Sequence, residues 1–241
     1  MRSSNEIIAD RILTLFLVSA AEKSGGISGN VKFQKLVFLS EWNLIKRSIK
    51  GLHFKFFAYR LGPFSKELLL DHQDLVAKGY LTGGFALKEK AMDLLDYVLA
   101  ATSDLKTNAE VLESIQSTCA EYGKYNAPRL MNLVYKMEIE PHDWPGKSIQ
   151  IGKMPSFLDI LVPEVLELPK HFELPDYLLG DIAADFESRE LSETEKAQLD
   201  KATFDNFATS LVPIMNPSQK EEARNFLSRS NAPAALISKF N

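Results

Sequence analysis

Between Ser3 and Leu44 the apolar residues recur at helical spacing in two successive runs, and glycines at 25, 26 and 29 separate the runs. A chain that begins this way is committed to packing helix on helix before any sheet can form. Ser3 and Glu6 make a capping box, after which Ile8, Ile12, Leu15, Phe16 and Val18 return near the helical period to about Lys23. The second run places Phe33, Leu36, Val37 and Leu44 on one face, with Lys32, Lys35 and Glu41 largely on the other. The period then changes. From His53 to Arg60, Phe54, Phe56 and Ala58 alternate with Lys55, Phe57 and Tyr59, which predicts a strand with aromatic residues on both faces. Gly62-Pro63 reads as a turn, Ser65 as the N-cap of a helix to Lys78 that Gly79 stops, and Tyr80–Leu87 as a short hairpin about Gly83-Gly84.

The remainder reads as helical. Runs over Lys88–Ala101 and Ala109–Tyr122 supply Leu94, Leu95, Val98, Leu112 and Ile115 to the core, and Pro128 opens a helix that ends before Pro141. Proline and glycine crowd the stretch to Pro155, so 1–140 is expected as one domain and 141–156 as a linker or long loop. An acidic helical region then follows over 157–241, broken near Pro163, Pro169, Pro175, Ser192, Pro213 and Pro217. That region either stands apart or packs on the first as one domain. The fold class expected is mainly α with a small β component, a winged-helix-like N-terminal core carrying a helical C-terminal extension.

Charge is unevenly spread. The formal total is only -4, but Asn30 to Lys66 carries eight basic residues against Glu41 alone, and Phe157 to Asp200 carries twelve acids against Lys170, Arg189 and Lys196. The segments, +7 and -9, imply an anionic partner for the first, complementarity between the two, or simply two solvated faces. The single cysteine, Cys119, leaves no intramolecular disulfide, so a reducing, cytoplasmic compartment is expected. The apolar stretch Ile12 to Ala21 is half the length of a membrane span, and no membrane association is expected.

Signals for chemistry are weak. His53, His72, His142 and His171 show no metal-ligand spacing, Cys119 beside Ala120 reads as a packing residue, and Gly25 to Asn30 lacks the Gly-Lys-Ser/Thr ending of a phosphate loop. Asp181 and Asp185 stand at i,i+4 in an acidic stretch with no sign of burial. No catalytic residue, metal or cofactor is therefore assigned. An enzymatic role needs a pocket where carboxylates or histidines converge, which sequence does not show.

Helix, helix, strand, capped helix and hairpin is the order of a winged helix-turn-helix unit with Ser65–Lys78 as its recognition helix. On that helix Leu68, Leu75 and Val76 pack inward, while Glu67, Asp71 and Asp74 share the opposite side, where they repel phosphate. Lys32, Lys35, Arg60 and Lys66 are expected to form a basic patch beside it, with Trp42, Phe57 and Tyr59 assigned to the core.

At the same residues the chain resembles a known family. Lys32-Phe33-Gln34-Lys35-Leu36 is similar to the Lys-x-Gln-Lys-Leu opening of the Panacea, or SocA-like antitoxin, domain. Phe57 to Leu68, with Gly62-Pro63-Phe64-Ser65 at its centre, resembles that family's strand, Gly-Pro turn and following helix, and YwgA-like proteins share the arrangement. About fifty residues carry the resemblance. It implies a mainly helical, non-catalytic, prokaryotic or phage-associated interaction protein that neutralises a toxin or serves a protease as adaptor. The partner-binding residues expected on this basis are Lys32, Lys35, Tyr59, Arg60, Lys66, Glu67, Asp71 and Asp74, with Gln34, Gly62, Pro63 and Ser65 as the structural motif. The alternative is a winged-helix transcriptional regulator that binds nucleic acid through residues 30–66.

Overall fold

Helix α1 (Ser4–Glu22) starts where the capping box puts it: Ser3 Oγ accepts from Glu6 N, and Glu6 Oε2 accepts from Ser3 N at 2.7 Å. The computed structural model describes residues 2–141 and 144–186, together with 217–218, 220–221 and 224–225. Helix α2 (Asn30–Lys46) follows, and both helices are buried on all sides through their centres, Ile8–Val18 in α1 and Val31–Glu41 in α2. The single apolar stripe expected of each is therefore too narrow. The charged residues that seemed to mark a solvated face, Lys32, Lys35 and Glu41, lie inside with the leucines. A helix covered all round must be central to its domain.

The elements around this pair are mainly helical: α3 (Lys66–Ala77), α4 (Glu89–Ala101), α5 (Lys106–Tyr122), α6 (Ala127–Tyr135) and α7 (Asp176–Phe186). Ser65 caps α3 through Leu68 N, and Asn126 caps α6 through Arg129 N, with Pro128 in its first turn. Helix α5 begins three residues before the expected Ala109 and turns Val111, Ile115 and Cys119 into the core.

Among the described residues, three small sheets complete the unit. Strands β1 (Ile49–Lys50) and β7 (Lys170–His171) pair in parallel, and β4 (Glu138–Ile139) pairs antiparallel with β5 (Ile149–Gln150). The third sheet has the order β3-β2-β6, from β2 (Phe56–Tyr59), β3 (Gly62–Phe64) and β6 (Asp159–Leu161). Its hairpin corrects the expected turn. Arg60-Leu61 make the reversal, and Gly62-Pro63 already belong to β3, Tyr59 facing Gly62 and Ala58 facing Pro63. Ala58 sends its N–H to Leu158 O and receives Phe157 N–H, both on the β6 side, so its partner across the hairpin needs no amide hydrogen. Proline fits there without loss. Gly62 has φ +88, a conformation that favours glycine, and Lys35 Cε and the Tyr135 ring pack close to it, each 3.4 Å from where a Cβ would stand.

The Tyr80–Leu87 segment doubles back about Gly83-Gly84 as expected: Leu81 bridges Leu87, Thr82 N donates to Ala86 O at 2.9 Å and Lys88 N to Tyr80 O at 3.0 Å, while Phe85 turns inward to stack on His72 at 4.3 Å. Of the alternatives for residues 141–156, the long loop fits the strand pairing, because beyond them β6 joins β2 and β7 joins β1. The chain divides into units Met1–Ser188 and Arg189–Asn241. In the second unit Pro217, Ser218, Lys220, Glu221, Arg224 and Asn225 are helical, and the breaks expected at Ser192 and Pro213 lie outside the described residues. Among the described residues, no helix is long and apolar enough to cross a membrane.

Candidate functional site

The Lys-x-Gln-Lys run on α2 spends its three polar side chains on backbone. Lys32 Nζ donates to Gly123 O in the α5–α6 connection, and Lys35 Nζ donates to Pro63 O at 2.7 Å. Gln34 grips Ser65 from both sides, its Nε2 donating to Ser65 O at 3.0 Å and its Oε1 accepting from Ser65 N at 2.9 Å. Residues 32, 34 and 35 thus fix the edge strand β3, the N-terminus of α3 and the approach to α6 against one helix. Lys32 and Lys35 are 4% and 3% exposed, so neither belongs to a surface basic patch. Burial pushes both ammonium groups down, Lys35 to about 7. Tyr135 closes the same region, its hydroxyl donating to Arg60 O.

The acidic side of α3 is also turned inward. Asp71 is 3% exposed and pairs with Arg2 (2.8 Å) and Arg11 (3.2 Å) of the N-terminal segment and α1. Asp74 pairs with Arg11 at 2.8 Å, and Glu67 lies 3.8 Å from Arg2 Nε while accepting from Lys55 N. Arg2 also reaches Asp10 at 2.7 Å, and Arg11 donates to Phe186 O at the end of α7. Asp10, fully buried, accepts from His53 N and faces His53 Nδ1, each at 2.9 Å. The carboxylates expected to meet a partner, or to repel DNA, bind the protein's own arginines.

What remains on the outside is aromatic. Along β2, Phe56 and Ala58 enter the core, while Phe57 and Tyr59 face the other way, half-buried. Phe64 of β3 lies over Phe57 at 5.4 Å and Tyr59 at 5.6 Å, and Phe157, just before β6, stands 5.9 and 5.6 Å from the same two rings. Phe157 is 52% exposed and holds φ +70, a backbone conformation that a bulky side chain rarely adopts. Lys55 at the border pairs with Asp159 at 2.6 Å, so one base of the +7 segment does meet an acid of the -9 segment. Arg60 is half-buried and Lys66 exposed beside the hairpin.

Of the residues expected to bind a partner, Tyr59 lies on this face and Arg60 and Lys66 adjoin its strands in the chain, whereas Lys32, Lys35 and Asp71 are interior and Glu67 and Asp74 serve ion pairs. Gln34 and Ser65 hold each other through the Ser65 backbone, while Gly62 and Pro63 lie in β3 instead of forming the turn expected of them. Sequence reading missed Phe157, which served only as a boundary marker, and Arg2 and Arg11, which carry no local periodic signal. Cys119 is buried and its thiol is pushed up to about 12 by burial, in keeping with a packing residue. His72 is pushed down to about 4 by burial among Phe33 and Phe85. His142 lies outside the described residues, as does the side chain of Asp185. Among the described residues, no group of three or more His, Cys, Asp or Glu could hold a metal ion.

No family model, no curated protein and no solved structure matches the chain.

Proposed function

We propose that this chain is a non-catalytic regulatory protein that works by binding another protein, most specifically as a SocA-like antitoxin neutralising a toxin partner. The observation that carries the reading is the aromatic face of β3-β2-β6, where Phe57, Tyr59, Phe64 and the half-exposed Phe157 lie together. Aromatic rings are the residues that dominate protein interfaces, because they bury a large area at little entropic cost. The buried Lys-x-Gln-Lys brace supports the same reading from below: it holds the hairpin that presents Tyr59 and Phe64. Binding of nucleic acid through residues 30–66 draws less support, since two of its lysines are inside and donate to carbonyls.

The test is co-expression with the adjacent gene, followed by capture of the tagged chain from its native host. The expected result is a neighbour that is toxic alone, tolerated in the presence of this chain, and retained on it. Phe157→Ala and Tyr59→Ala each weaken retention by about tenfold or more. A harmless neighbour together with no retained protein sinks the proposal, and so does full retention by the doubly substituted chain.

A further inference from the structure

Besides the aromatic face, the first unit carries a cleft of about 350 Å³ between the first turns of α1 and the β7–α7 segment. Its polar lining includes Glu6, His53, His171 and Glu173, its apolar lining Ala9, Leu174 and Leu179, and among the described residues no lysine or arginine. The walls are built rather than loose. Phe172 N donates to Lys50 O at 2.9 Å, and Asn108, itself buried, exchanges two hydrogen bonds with the backbone of Glu173, at 2.8 and 3.0 Å.

His53 is the group that gives the cleft a chemistry. It is 7% exposed, and its Nδ1 stands 2.9 Å from Asp10 Oδ1. A carboxylate can only accept, so Nδ1 carries the hydrogen, and in the singly protonated ring Nε2 is the nitrogen left as an acceptor. Among the described residues nothing hydrogen-bonds to that nitrogen: its nearest charged neighbour is Glu6 Oε1, at 3.7 Å. Glu6 is held in turn, because Oε2 accepts from Ser3 N in the capping box and Oε1 is left facing His53, with Lys50 Nζ at 3.9 Å. Two acceptors therefore face each other across a gap too wide for a hydrogen bond between them. A single N–H donor group with two hydrogens to give closes that gap.

We propose that this cleft binds a primary alkylammonium group, its N–H donors meeting Glu6 Oε1 and His53 Nε2 and its charge facing Glu6 and Glu173. The alkyl stem lies on Ala9, Leu174 and Leu179. Such a group is found on a free aliphatic diamine and on a lysine side chain. The site shares no residue with the aromatic face and does not depend on the antitoxin reading.

The experiment is calorimetric titration of the full chain with 1,5-diaminopentane and with Nα-acetyl-lysine amide, using pentanoate as the anionic control. Saturable binding is expected for at least one amine, with a Kd on the order of 0.1 mM, as about seven to thirteen non-hydrogen atoms allow. The tighter of the two identifies the source, free diamine or lysine side chain. Glu6→Gln keeps the capping box and weakens binding by about tenfold, the loss of a charge-assisted hydrogen bond. Glu173→Gln, a change that leaves the backbone bonds to Asn108 in place, weakens it by about threefold. The proposal is overturned if neither amine saturates up to about 10 mM, a hundredfold above that expected Kd. It is equally overturned if pentanoate binds as well, or if neither substitution changes the affinity.

Discussion

The first unit buries charge in two places and by two different means. Around α1 and α3, Arg2, Asp10, Arg11, Asp71 and Asp74 pair cation with anion at 2.7 to 3.2 Å. Along α2, Lys32 and Lys35 donate to carbonyl oxygens, of Gly123 and Pro63. The first arrangement returns most of the cost of desolvation through direct charge pairing, and each member depends on the others. The second leaves an ammonium facing a dipole. Burial holds Lys35 near 7 as a result, whereas in Arg2 the pull of Asp71 and Asp10 outweighs burial and holds the guanidinium charged. The ion-pair network therefore fails when a partner is removed, and the lysine brace when it must carry a proton.

Asp10→Ala gives the largest effect. Its carboxylate serves Arg2 together with the amide and Nδ1 of His53, and without it Arg2 loses one of two close carboxylates while the His53 amide is orphaned. Breaking a buried pair from one side costs about 3–5 kcal/mol. Chemical denaturation at neutral pH should show a loss of that order, and a loss below about 1 kcal/mol would contradict the ion-pair account.

The lysine brace predicts a smaller effect with a sign set by pH. Folding drives Lys35 down to about 7 from its ordinary 10.5. Between those values the unfolded chain holds a proton that the folded chain has released, so stability rises with pH, by at most about 1.4 kcal/mol per unit. Lys35→Met removes the titrating group and keeps the stem volume. Denaturation midpoints measured at pH 7, 8 and 9 should climb in the native chain and stay flatter in the variant. Equal slopes would show that Lys35 is not the group responsible.

The same contrast explains what could be read from sequence. Ends of helices were legible because their signals are local: Ser3 with Glu6, Ser65 before α3, and Pro128 in the first turn of α6 each act within three residues. The neighbours of α1 and α2 were not, because Arg11 meets Asp71 sixty residues on and Lys32 meets Gly123 ninety-one residues on. A lysine on a periodic helix reads as solvated until the carbonyl that receives it is known. The hairpin was misplaced for a related reason. Gly62 is where the backbone needs φ > 0, but the reversal lies one step earlier at Arg60-Leu61, set by pairing with β2. The aromatic face needed β6 to arrive from about a hundred residues away, and no local pattern announces that pairing.

The smallest effect on stability separates the scaffold from the surface it presents. Both buried clusters hold groups whose removal or charging costs stability, whereas Phe157 is half-exposed and keeps a left-handed backbone at φ +70. A residue with a Cβ holds that conformation at a cost of about 1 kcal/mol, and glycine adopts it freely. Glycine also gains freedom in the unfolded chain and gives up the ring contacts with Phe57 and Tyr59. Phe157→Gly should accordingly change stability by less than about 1 kcal/mol in either direction. Retention of the protein partner should nevertheless fall by about tenfold or more. A scaffold residue would lose both together. Parallel denaturation and capture measurements decide the matter: stability lost by several kcal/mol would place Phe157 with the buried clusters, and strain held at an exposed aromatic ring would then have no role in recognition.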